Sequence, residues 1–80
     1  MRPEEFLKLM RRTPFVPLRV HMSDGSTYDI KHPEFAAVGR TSLIICVDER
    51  DGLPEDWVYC FWLHVTHVAD LAQAAAPSAQ

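Results

Sequence analysis

The amino-acid sequence predicts a mainly β domain, a small five-stranded barrel with an N-terminal capping helix. First, apolar and polar residues alternate along residues 15–32, with the period of two that is typical of strands. Second, the apolar segment 42–47 is rich in β-branched residues and too short for a buried helix. Third, five twisted antiparallel strands with one buried face tend to curl into a small barrel, whose open end a helix can close.

Residues 3–12 are predicted to form that helix. Pro3 suits the first helical position, where its missing N–H costs nothing. Acidic residues precede basic residues along the segment, which agrees with the direction of the helix dipole. Phe6, Leu9 and Met10 share one face, and a helix this short must pack that face on the domain to be stable.

The register of the hairpin at residues 15–32 follows from its turn. A two-residue loop at residues 24–25 would place polar groups on the apolar face. A three-residue loop, 23–25, keeps apolar residues opposite each other and puts Gly25 at the left-handed position of a type I turn with a G1 bulge. The predicted pairs are Leu18 with Ile30, Arg19 with Asp29, and Val20 with Tyr28. The charged pair is expected to contribute about 0.2–1 kcal/mol.

Further strands are predicted at residues 42–47 and 57–61, and residues 62–71 are expected to continue, after a sharp bend, into a last short strand. Pro33 ends the preceding strand because it cannot donate to a ladder. The segment 48–56 has five acidic residues against one Arg, and we expect a solvated hairpin loop there.

The domain is expected to span residues 1–71, followed by a disordered Ala-rich tail over residues 72–80. The charged N-terminal segment lacks the apolar stretch of a signal peptide, and no segment reaches the length of a membrane span. Cys46 and Cys60 lie in apolar segments and are expected to be buried free thiols. Together these features predict a cytoplasmic protein.

Aromatic residues are concentrated at residues 57–62. On a strand, alternate aromatic residues share one face, and the residues between them leave the other face apolar as well. A barrel strand with one solvated face should be polar on that side, so either the helix or another subunit covers the second face. Exposed apolar surface of this kind marks interfaces. The predicted interface residues are Trp57, Tyr59, Cys60, Phe61 and Trp62.

The corner at residues 32–35 is a candidate ligand site, because it could display His32 and Glu34. The structural alternative is favoured: Pro33 ends the strand, Phe35 plugs the barrel and Glu34 stays in solvent. Both interpretations remain open from the sequence.

No catalytic residue, cofactor or metal site is predicted. His64 and His67 would point to opposite sides of a strand, and no metal-binding pair such as Cys-x-x-Cys is present. In the predicted register His21 faces outward, while His32 lies on the inner face. A core of this size rarely leaves a deep, desolvated pocket, which argues against an enzyme.

Four short motifs resemble a family of short uncharacterised bacterial proteins without an established activity. The motifs are PFxPL at residues 14–18, DG at 24–25, IxHPEF at 30–35 and LxVTxV at 63–68.

The order of elements is similar to that of Sm-like proteins, including the RNA chaperone Hfq. Sm-like proteins form rings in which the fourth strand of one subunit pairs with the fifth strand of the next. The resemblance therefore implies a small barrel and a ring. Hfq has a Tyr-Lys-His signature before an apolar pair spaced like Val65 and Val68, and this chain has Phe61, Trp62 and Leu63 at the corresponding positions.

The sequence thus predicts a non-catalytic interaction module that self-associates through its C-terminal strands and binds a protein partner. The alternative is an Sm-like ring that binds single-stranded RNA, with aromatic residues stacking on bases. A net charge of −3 disfavours RNA, because nucleic-acid affinity depends on cations that neutralise phosphates. The candidate RNA-contacting residues are Lys8, Arg11, Arg12 and Arg40.

Overall fold

A computed structural model describes residues 1–72 of the chain. The elements are α1 (Pro3–Met10), β1 (Leu18–Met22), β2 (Thr27–Ile30), β3 (Ala36–Val38), β4 (Ser42–Arg50), β5 (Leu53–Phe61) and β6 (Val65–Asp70). Short 3₁₀ turns at Pro33–Phe35 and Trp62–His64 precede β3 and β6. Apart from Ala72, the predicted disordered tail lies outside the described residues. Within residues 1–72, no helix has the length and apolar character needed to cross a membrane.

The strands form two antiparallel sheets of three strands each, in the orders β2-β1-β6 and β3-β4-β5. The mainly β class and the N-terminal helix are therefore confirmed. The two hydrogen-bonded sheets do not close into a barrel within residues 1–72. Six strands stand where five were predicted, because the short segment Ala36–Val38 pairs with β4.

Both sheets and the helix contribute to a single apolar core. Its buried members are Phe6, Leu18, Val20, Ile30, Leu43, Ile45, Cys60, Trp62 and Val65. Alternate residues of β1 and of β4 supply four of these nine side chains, as the period of two requires. Both cysteines are buried free thiols, as predicted.

The helix α1 ends at Met10, two residues before the predicted end at residue 12. Phe6 is fully buried, and Leu9 and Met10 pack against the core, which confirms the predicted apolar face. Arg12 does not continue the helix: its backbone N–H donates to the carbonyl of Leu9 at 3.4 Å, in a tighter three-residue turn.

The register predicted for the first hairpin is confirmed. Arg19 lies opposite Asp29, with the two apolar pairs on either side of it. The Arg19 guanidinium donates two hydrogen bonds to the Asp29 carboxylate, at 2.7 and 3.1 Å. Gly25 has a φ of 92°, the left-handed conformation that the three-residue loop demands.

The prediction of a loop over residues 48–56 is wrong, because β4 and β5 continue through this acidic segment to a tight turn. Asp51 and Gly52 form the turn with φ values of 55° and 79°. An Asp-Gly pair with two positive φ angles is the turn that best fits the twist of a two-residue hairpin. The preference of Asp51-Gly52 for a two-residue turn therefore determines the structure of the segment, although its composition is polar.

Candidate interaction surface

One face of β5 carries three aromatic side chains that remain largely in solvent. The exposed fractions are 43% for Trp57, 65% for Tyr59 and 55% for Phe61. These residues alternate with the buried Cys60 and the half-buried Val58, so they lie on the outer side of the sheet. We call Trp57, Tyr59 and Phe61 the β5 aromatic face. Exposed apolar surface of this kind is typical of protein interfaces.

Two of the predicted interface residues, Cys60 and Trp62, belong instead to the core. Burial raises the pKa of the Cys60 thiol, which favours its neutral form. The Trp62 ring lies 5.3 Å from the Phe6 ring between centroids, and its indole N–H donates to the carbonyl of Gly39 at 2.8 Å. The helix α1 therefore packs on Trp62, in the core that also includes Cys60. Trp62→Glu is expected to unfold the domain rather than only separate subunits.

Two exposed leucines, which sequence reasoning missed, lie at the ends of β5. Leu53 begins the strand and is 69% exposed, while Leu63 lies in the 3₁₀ turn just after it and is 89% exposed. Both have odd residue numbers, like the β5 aromatic face. Continuing the alternation two residues past Phe61 would have found Leu63, whereas Leu53 lies four residues before Trp57, across an irregular part of the β4–β5 register, and gives no such signal.

The backbone of β5 is also free to pair. Within residues 1–72, β5 pairs with β4 alone and β6 pairs with β1 alone, so each strand is the edge of its sheet. An edge strand presents unpaired N–H and C=O groups that can bind another chain. On β5 these groups run beside the exposed aromatic side chains, so one strand offers both backbone pairing and apolar contact.

A shallow depression of about 380 Å³ adjoins the β5 aromatic face. Tyr28, Tyr59, Phe61 and His64 form part of its wall. The Nδ1 atom of His64 lies 3.5 Å from the hydroxyl oxygen of Ser23. Such a surface can accept an apolar or planar group on its aromatic side and a hydrogen bond on its polar side.

The candidate ligand corner is a 3₁₀ turn whose side chains lie at the surface. His32 and Glu34 are both exposed, so the predicted inner-face position of His32 is wrong. Phe35 does not plug the core: its ring contacts the edge of the His32 ring, with centroids 5.3 Å apart. The turn bends the chain back at Pro33, which brings Phe35 against His32. The adjoining groove, about 370 Å³, also includes Lys31 and Asp48.

The candidate RNA-contacting residues differ in their surroundings. Lys8, Arg11 and Arg40 are exposed. Arg12 is half-buried, and its guanidinium lies 2.9 Å from the Asp70 carboxylate. Arg12 therefore connects the end of α1 to β6, and its charge is compensated within the domain.

Two histidines that no sequence pattern connects stack on each other. His21 and His67 are opposite each other on β1 and β6, with ring centroids 3.9 Å apart and planes inclined by 13°. Desolvation is the largest cause that lowers the pKa of His21, and the nearby His67 and Arg19 lower it further. Within residues 1–72, no cluster of three or more His, Cys, Asp or Glu side chains could hold a metal ion.

No family model, curated protein or solved structure matches this chain. The surface of the domain itself, above all that of β5, therefore carries the evidence for its function.

Proposed function

We propose that this chain is a non-catalytic, cytoplasmic interaction module that self-associates through its C-terminal strands and binds a protein partner. The observation that carries the proposal is the edge strand β5, whose unpaired backbone runs beside three exposed aromatic side chains. Apolar side chains on an edge strand favour aggregation unless another chain covers them, so natural proteins usually protect such edges.

We also propose that the two sheets act together as a small Sm-like or SH3-like barrel. Their side chains share one core, in which Leu18 and Val20 of the first sheet cluster with Leu43 and Ile45 of the second. The chain passes between the sheets at the 3₁₀ turns before β3 and β6. Shared packing and two crossings give the sheets a fixed arrangement without a closed ladder.

The proposed occupant of the β5 edge is β6 of a second copy. Both strands are edges within residues 1–72, and each offers the backbone groups that the other requires. A contact between two different edges is heterologous, because it joins different surfaces of the two copies. A row of copies joined in this way keeps one free β5 at one end and one free β6 at the other. Such contacts generate a ring when the rotation closes, which agrees with the resemblance to Sm-like proteins.

Aromatic burial and backbone pairing would have to act together in this contact. Covering the exposed half of each aromatic ring is expected to contribute about 1 kcal/mol per residue. The loss of translational and rotational freedom on association opposes binding by several kcal/mol. Backbone hydrogen bonds along the edge therefore supply part of the affinity and set the register.

A second candidate function is binding of single-stranded RNA. The observation that favours it is the depression walled by Tyr28, Tyr59 and Phe61, since aromatic rings at a surface can stack on bases. The net charge of −3 and the acidic end of the β4–β5 hairpin oppose it, because both repel phosphates. We therefore rank it second.

Light scattering after size exclusion tests self-association in untagged protein. Tyr59→Glu places a charge at the centre of the β5 aromatic face, and Thr27→Glu places the same charge on an exposed position of β2 as a matched control. We expect wild type and Thr27→Glu to share one oligomeric mass and Tyr59→Glu to be a folded monomer. A wild-type monomer, or an unchanged mass in Tyr59→Glu, would contradict the proposal.

Titration with fluorescent single-stranded RNA distinguishes the second function. RNA binding that weakens steeply with salt, and that is lost in Tyr59→Glu but not in Thr27→Glu, would make RNA binding the preferred function. Absence of RNA binding at low salt would exclude RNA binding as a function of this domain.

A further inference from the structure

The stacked pair of His21 and His67 lies where two distant segments of the chain meet. Their rings are nearly parallel, with centroids 3.9 Å apart. The regular register between β1 and β6 is interrupted immediately after His21. Beside it, the hydroxyl of Thr66 donates a hydrogen bond of 2.9 Å to the carbonyl of His21. The stack therefore contributes to strand pairing at a point where the backbone ladder is irregular.

The charges around the stack make an added proton unfavourable. On β1, Arg19 lies two residues before His21, on the same face of the sheet. On β2, the neutral Thr27 lies opposite His21, and Asp29 lies opposite Arg19. The Asp29 carboxylate accepts both hydrogen bonds of the Arg19 guanidinium, and its charge raises the pKa of His21, but desolvation, His67 and Arg19 lower that pKa by more. Lys31 adds another positive charge near Asp29, and on β6 the neutral Ala69 faces Arg19.

Protonation changes the interaction between the two imidazoles. Two neutral rings stack without repulsion, and a single proton leaves one cation against one neutral ring. Two protons place two positive charges at the distance of the stack, with Arg19 nearby and only the Asp29 carboxylate, which is already paired with Arg19, to offset them. The proximity of His67 and Arg19 therefore makes protonation of His21 less favourable.

We propose that the His21–His67 stack is a pH-sensitive clasp that holds β6 on β1 at neutral pH and weakens this pairing in mildly acidic conditions. Because β6 is the edge to which β5 of a second copy would bind, acidification is also expected to dissociate the assembly. This second consequence depends on the proposed self-association, whereas the first concerns the isolated domain.

The direction of the pH dependence follows from the difference between folded and unfolded states. Desolvation and the neighbouring positive groups hold the pKa of His21 in the folded protein below its ordinary value of 6.5. The unfolded chain then binds protons more readily, so stability is complete above the ordinary value and decreases as the pH falls through it.

An NMR titration of the histidine rings tests the clasp independently of assembly, in the monomeric Tyr59→Glu background. We expect the pKa of His21 to lie below its ordinary value of 6.5. His67→Phe retains a stacked ring but cannot be protonated, and it is expected to move the titration of His21 upward. A pKa of His21 at its ordinary value, unchanged in His67→Phe, would overturn the proposal.

Urea denaturation at a series of pH values in the same background provides the second measurement. Between pH 7 and pH 5, the Tyr59→Glu protein is expected to lose more stability than its His67→Phe and His67→Gln derivatives. His32→Gln removes a histidine outside the stack and should preserve the full loss. Equal losses in all four proteins would overturn the clasp. A pH-dependent clasp in a chain that never self-associates would contradict only the assembly proposal.

In the protein without Tyr59→Glu, the dissociation constant of the assembly is expected to rise about tenfold over the same pH range, which is typical of coupling between two sites. His67→Phe should remove most of this rise. An assembly whose affinity is independent of pH would overturn the link between the clasp and the β6 edge.

Discussion

The replacement of Trp62 by Ala is expected to remove most of the stability of the domain. Its ring is 7% exposed and packs on the Phe6 ring of α1, so it joins the helix to the sheets. Truncating a buried Trp to Ala costs about 3–5 kcal/mol, through lost burial and the cavity that remains. The indole N–H also donates a hydrogen bond to the carbonyl of Gly39, and this bond contributes about 0.5–1.5 kcal/mol to the stability of the domain.

These costs must be compared with the total stability. A chain of 80 residues has about 4–12 kcal/mol available, so Trp62→Ala leaves little or none at the lower end of that range. Trp62→Phe retains an aromatic ring and loses mainly the hydrogen bond and part of the volume. We expect it to cost about 1–2 kcal/mol, which keeps the fold intact and measurable.

Urea denaturation followed by far-ultraviolet circular dichroism measures these differences, in the Tyr59→Glu background so that assembly does not add to stability. Trp57→Ala is the matched control, since Trp57 is 43% exposed on the outer face of β5. It is expected to cost less than about 1 kcal/mol. If Trp57→Ala destabilised the domain more than Trp62→Phe, the assignment of the inner and outer faces of β5 would be refuted.

Two further substitutions test the packing and the first hairpin. Gly39→Ala would bring its Cβ within 2.9 Å of the backbone oxygen of Ser42, and we expect a loss of about 1–3 kcal/mol in a denaturation curve. Asp29→Asn removes the partner of Arg19 and is expected to cost about 0.2–1 kcal/mol at neutral pH. The Arg19 side chain holds the pKa of Asp29 below its ordinary value of 3.8, so this contribution is lost as the pH falls below that value. The cost of Asp29→Asn should therefore vanish in strong acid, and a cost that persists there would contradict the ion pair.

The sequence predicted most accurately where two independent constraints agreed. In the first hairpin, the apolar face required Val20 opposite Tyr28, and the charged face required Arg19 opposite Asp29. Only a three-residue turn satisfies both, so the register could be derived. The acidic hairpin offered no such agreement, because its polar composition hid the strands and only Asp51-Gly52 marked the turn.

The candidate surface was predictable only in part. Alternation along β5 separates Trp57, Tyr59 and Phe61 from Cys60 and Trp62, but it does not tell which set is buried. That choice depends on the other sheet and α1, whose Leu18, Val20 and Phe6 share one core with Cys60 and Trp62. The pairing of β1 with β6 joins distant segments, and period-two patterns do not specify strand neighbours, so the His21–His67 stack could not be foreseen.

Native mass spectrometry of the untagged wild-type protein, compared with Tyr59→Glu, tests self-association through β5 most directly. We expect one discrete multimer of the bare chain for wild type and a folded monomer for Tyr59→Glu. A wild-type monomer at every concentration examined would contradict it, since the β5 aromatic face would then remain in solvent without a second copy to cover it.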